Sequence, residues 1–90
     1  MVINVEQKHI DTGVPMNCFC CPVASAIVDV MPEHTHVFAT KKYIEIGNFI
    51  YDTPKEVSIF MTRFDNYKVN SAYSSLPGPF SFKLGEPYSS

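Results

Sequence analysis

Near the start of the chain Ile3 and Val5 alternate with Asn4 and Glu6, the period of a strand with one buried face. Asp11-Thr-Gly-Val-Pro15 interrupts that pattern with turn chemistry, since Asp tolerates the left-handed region, Gly supplies positive φ and Pro fixes φ. The periodicity then changes. From Cys21 to Met31 the apolar residues Val23, Ala26, Ile27, Val30 and Met31 recur at the spacing of one helix face. Pro22 suits the first helical position, where its missing N–H costs nothing, and Pro32 stops the helix. The other elements look placed to cover this stripe.

Alternation returns between Val37 and Asp52. Gly47-Asn48 separates Tyr43-Ile-Glu-Ile46 from Phe49-Ile-Tyr-Asp52, a hairpin signal. A two-residue turn there sets Ile46 opposite Phe49 and Ile44 opposite Tyr51. A second tight turn at Lys41-Lys42 sets Val37 opposite Ile46 and Ala39 opposite Ile44. The face made by Val37, Ala39, Ile44, Ile46, Phe49 and Tyr51 is then apolar throughout, and this agreement of register with face predicts a meander. Glu45, Ile50 and Asp52 fall on the other face.

Thr53-Pro-Lys-Glu56 reads as a helix start, with Thr53 as cap, Pro54 in the first position and Glu56 reaching back. Val57, Phe60, Met61 and Phe64 form its buried stripe, Lys55, Ser58, Thr62 and Asp65 point outward, and Asn66 is the expected stop. Residues 67–79 read as a long flexible loop suited to binding. Phe80, Phe82 and Leu84 alternate inward, and 85–90 form a tail. The predicted architecture is a single α+β domain over 1–84 in the order β-α-β-β-β-α-β, with two helices packed on one face of a mainly antiparallel sheet.

Composition narrows the function. Ninety residues, 46% hydrophobic and 18% charged, describe a small globular chain. No apolar run is long enough for a membrane span and no secretory leader is visible, which predicts a soluble, cytoplasmic protein with reduced thiols. A net charge of −2 with scattered Lys and Arg supplies no footprint for nucleic acid.

Cys18, Cys20 and Cys21 are the most conspicuous chemical feature, and structural thiols are the plainest reading of them. A Cys18-x-x-Cys21 pair before a helix suits a thiol-redox centre, because a helix N-terminus lowers a thiol's pKa, but no buried strand in a βαβ unit precedes it. Joined to His34 and His36 the pair has the ligand types of tetrahedral zinc, but at poor spacing and from opposite ends of one helix. His9 reads as a surface or packing residue. No Gly-rich elbow frames a Cys–His nucleophile, and no phosphate-cradling glycine motif is present, so neither an enzyme nor a cofactor is expected. The aromatic and aliphatic residues that the core does not use, Tyr43, Ile50, Tyr67, Tyr73 and Leu76, suit contact with a partner protein. Short sheet edges also permit a homodimer.

Ile3-x-Val5 with His9-Ile10, Cys21-Pro-Val-Ala24, Pro54-x-x-Val57-x-x-Phe60-x-x-x-Phe64-Asp65 and Pro79-Phe-Ser-Phe-Lys-Leu84 together resemble a group of small uncharacterised proteins encoded by bacteriophages and prophages. Residues 70–78 look like an insertion relative to that pattern. The resemblance implies an inhibitor that acts in the host cytoplasm, in host takeover or anti-defence, by binding a host protein. A protein that sequesters a small nucleotide signal is the further alternative.

Overall fold

The computed structural model describes residues 2–33, 36–70 and 76–87. The elements are β1 (Val2–Val5), α1 (Gln7–Thr12), α2 (Pro22–Val30), β2 (Val37–Ala39), β3 (Tyr43–Ile46), β4 (Phe49–Asp52), α3 (Lys55–Val69) and β5 (Phe80–Lys83). The chain is α+β with antiparallel pairing, as predicted, but its strands form two sheets instead of one. β1 pairs with β5 from Val2↔Lys83 to Val5↔Phe80, and β2, β3 and β4 form a separate meander. The split has a local cause. The Ala39 N–H, on the edge of β2 away from β3, donates to the Cys18 carbonyl at 3.0 Å, so a loop takes the place a fourth strand would need. α2 packs against β1 of one sheet and β2 of the other. One core cluster therefore runs from Ile3 to Leu84 and draws on both sheets.

The meander has the predicted register throughout, with Val37↔Ile46, Ala39↔Ile44, Ile44↔Tyr51 and Ile46↔Phe49. Gly47 takes φ 59° at the first central position of its turn, as a II′ hairpin requires. The Lys41-Lys42 turn has no such residue and is held by Thr40 instead. The Thr40 hydroxyl donates to the Tyr43 carbonyl at 2.7 Å and accepts from Tyr43 N–H at 2.9 Å. Phe49 departs from the predicted face burial: it is 41% exposed, because it sits at the end of an edge strand.

α2 keeps Val23, Ala26, Ile27 and Met31 in the core but leaves Val30 47% exposed, so its stripe is narrower than the sequence pattern. At α3, Pro54 is itself the N-cap residue, and the Thr53 hydroxyl caps nothing. It donates instead to the Thr40 carbonyl at 2.8 Å, tying the helix entrance to the meander turn. α3 also passes Asn66 and ends at Val69, so the expected loop loses its first three residues, 67–69, to the helix. Residues 71–75 lie outside the described residues.

The short helix α1 has little sequence signal, since Ile10 is its lone aliphatic residue. It is fixed by His9, which is 4% exposed and not a surface residue. His9 Nδ1 accepts the Glu6 N–H at 2.8 Å, so the ring proton sits on Nε2, which donates to Asp29 Oδ2 at 2.6 Å. Both ring nitrogens are thereby used in joining α1 to α2. Gly13, which follows α1, has an ordinary φ of −67°, but a Cβ there would lie 2.6 Å from Pro22 Cδ and Cγ and 2.9 Å from the His9 carbonyl. Gly13→Ala should cost about 1–3 kcal/mol, because neither the ring nor the backbone can yield cheaply. Urea denaturation measures this directly, and an unchanged midpoint would show that the contact relaxes freely.

Candidate functional site

The face of the meander away from the core carries a cluster of rings. Asn17 Oδ1 accepts the N–H groups of Phe19 and Cys20, each at 3.0 Å, and this turn brings Phe19 over β2. The Phe19 ring meets Phe38 edge-on at 5.0 Å and His36 at 6.0 Å. Phe38 continues to Tyr43 at 6.0 Å and lies parallel to His36 at 6.5 Å. All four spacings lie within the range of favourable aromatic contact. Phe38, Glu45 and Ile50 occupy one row across the three strands, and Tyr43 and Asp52 share the next. Phe19 remains 57% exposed, so the cluster meets solvent. The face also carries negative charge: Asp52 is exposed, and Glu45 Oε2 lies 3.7 Å from His36 Nε2.

On the other side of β2 lies a cavity of about 220 Å³. Phe60, Met61 and Phe64 of α3 form one wall, Ala39–Lys41 another, and Met16–Cys18 with Cys21 and Pro22 the third. Asp65 stands at this cavity and not on the solvent side of α3. Its Oδ1 accepts the Met16 N–H at 3.1 Å, holding Met16 at φ 56° in the left-handed region, and its Oδ2 lies 3.6 Å from Lys41 Nζ. Cys21 is the N-cap of α2, its sulfur accepting the Ala24 N–H at 3.4 Å. Burial nonetheless pushes its thiol pKa up, outweighing the backbone N–H groups that would lower it. That shift is opposite to the one that activates a redox thiol.

The alternative zinc set does not assemble. His36 lies on the ring-bearing face, while Cys18 and Cys21 line the cavity. His34 lies outside the described residues, and among the described residues no three His, Cys, Asp or Glu side chains gather as an ion would require. Of the expected contact residues, Tyr43 and Ile50 lie in adjacent rows on the outer face of the meander. Tyr67 is in the last turns of α3, Leu76 packs against the core, and Tyr73 lies outside the described residues. Sequence reasoning missed Phe38 and Phe19, and offered His36 only as a zinc ligand. Phe38 was legible, since Val37 and Ala39 point inward and it must face the other way. Phe19 was not, because a loop places it.

No described helix is long and apolar enough to cross a membrane. Fold and surface define a small α+β protein with an aromatic, acidic sheet face. No protein-family model, curated protein or solved structure matches this chain.

Proposed function

We propose that this protein is a non-catalytic binding module whose outer meander face grips a partner protein. The supporting observation is the solvent-facing ring cluster of Phe19, His36, Phe38 and Tyr43, flanked by Ile50. Rings with few rotatable bonds supply contact area at low entropic cost and are the usual anchors of protein interfaces. Glu45 and Asp52 beside them favour a partner that presents arginine or lysine among apolar side chains, since a guanidinium both stacks on rings and pairs with carboxylates. The phage-like sequence pattern argues for a host protein as that partner and for inhibition as the outcome.

The test compares wild type with Tyr43→Ala and Ile50→Glu, using quantitative capture from host extract followed by affinity measurement on the recovered protein. Each variant should weaken binding by about 30-fold, the effect of a hot spot worth about 2 kcal/mol, while circular dichroism shows that it remains folded. Lys substitution at Glu45 and Asp52 should slow association. Undiminished binding by both Tyr43→Ala and Ile50→Glu removes this reading. A concentration-dependent dimer abolished by the same substitutions would assign the face to a second copy of the chain instead.

A further inference from the structure

We propose that the cavity between α3 and the Met16–Cys21 loop is a site for a soft monovalent metal ion of the copper(I) or silver(I) class. Cys18 and Cys21 supply the thiolate ligands, and Met61 and Met16 supply thioether sulfur. Four sulfur-bearing side chains line this one cavity, and they come from two separate parts of the chain. Met61 is 6% exposed and Cys21 also 6%, whereas Met16 is 73% exposed at the mouth, so the arrangement runs from a buried floor to an accessible entrance. This site does not depend on the partner-binding reading, which concerns the opposite side of β2.

The ligand chemistry selects the ion. Thiolate and thioether donors favour copper(I), whereas magnesium and calcium need several oxygen ligands. The one carboxylate at the cavity, Asp65, is already engaged by the Met16 N–H and by Lys41. Structural zinc is closed by four nitrogen, sulfur or oxygen ligands, and no imidazole borders the cavity to complete such a set. A d¹⁰ monovalent ion is satisfied by two thiolates with weak thioether support. Binding exchanges two S–H bonds for two metal–sulfur bonds and releases two protons to solvent, with no change of oxidation state. The complex carries one net negative charge, and Lys41 also borders the cavity.

The experiment titrates the reduced protein anaerobically with copper(I), and in parallel with silver(I), against a chromophoric chelator while following thiolate-to-metal absorption. One ion per chain is expected, with a sulfur-only coordination shell by X-ray absorption. Affinity should fall about 100-fold in Cys18→Ser and Cys21→Ser and about 10-fold in Met61→Leu, the scale on which losses around a metal site are felt. Cys20→Ser should bind as wild type does, since Cys20 is exposed and does not border the cavity. Should Cys21→Ser fail to fold, Cys18→Ser and Met61→Leu still decide the matter. Binding that survives both of those, that disappears in Cys20→Ser, or that proves to be an adventitious ion only, overturns the proposal.

Discussion

Phe64→Ala is expected to destabilise the protein by about 3–5 kcal/mol, the range for deleting a buried aromatic ring. Phe64 is 1% exposed, lies parallel to Phe60 at 6.1 Å and has Lys68 Nζ 5.6 Å from its ring centre. It also borders the 220 Å³ cavity, so the space its removal leaves merges with one that already exists. Collapse around a larger void is harder, which places the cost toward the upper end. A chain of this size has a total stability of roughly 5–13 kcal/mol at typical per-residue values, so the variant approaches the folding threshold. Urea denaturation with a matched slope measures the change, and a loss under about 1 kcal/mol would mean that α3 is not packed as described.

The second large effect concerns His9. Its replacement by Ala should cost about 2–4 kcal/mol, because it empties a buried site and strips the Glu6 N–H of its acceptor. The same contact predicts an acid dependence. The hydrogen bond from His9, followed by that from Lys8, holds the Asp29 carboxyl pKa below its ordinary value of 3.8. A lowered folded-state pKa means that the unfolded chain binds the proton more readily. The stabilisation is therefore complete above the ordinary carboxylate range and is lost as the pH falls through it and below. Asp29→Asn should flatten this acid limb in denaturation series from about pH 6 to about pH 3. An unchanged limb would assign it to other carboxylates.

The meander was readable because its information is local. Two turns at fixed positions and a period of two set every partner from Val37 to Tyr51, and a slip of one residue would have turned Ile44 and Ile46 to solvent. α2 was readable for the same reason, with Pro22 at its start and the Val23, Ala26, Ile27 stripe within one face. α1 was hidden because its stability comes from a side chain twenty residues away, through His9 and Asp29, and not from any stripe of its own. The outward assignment of Asp65 failed likewise: spacing along α3 cannot report that Met16 N–H and Lys41 approach from other parts of the chain.

The candidate surface was half visible. Tyr43 and Ile50 followed from register, whereas Phe19 arrived through the Asn17 turn, whose geometry no periodicity encodes. The chain alone determined the buried stripe of α3, the hairpin register and the α+β class, because side-chain spacing along a helix or strand decides which residues share a face. Only the tertiary structure decided that the strands split into two sheets, that a loop carbonyl at Cys18 closes the edge of β2, and that sulfur-bearing residues from distant segments line one cavity. Those outcomes rest on contacts between residues far apart in sequence, and such contacts are chosen by the free energy of burying the whole core at once.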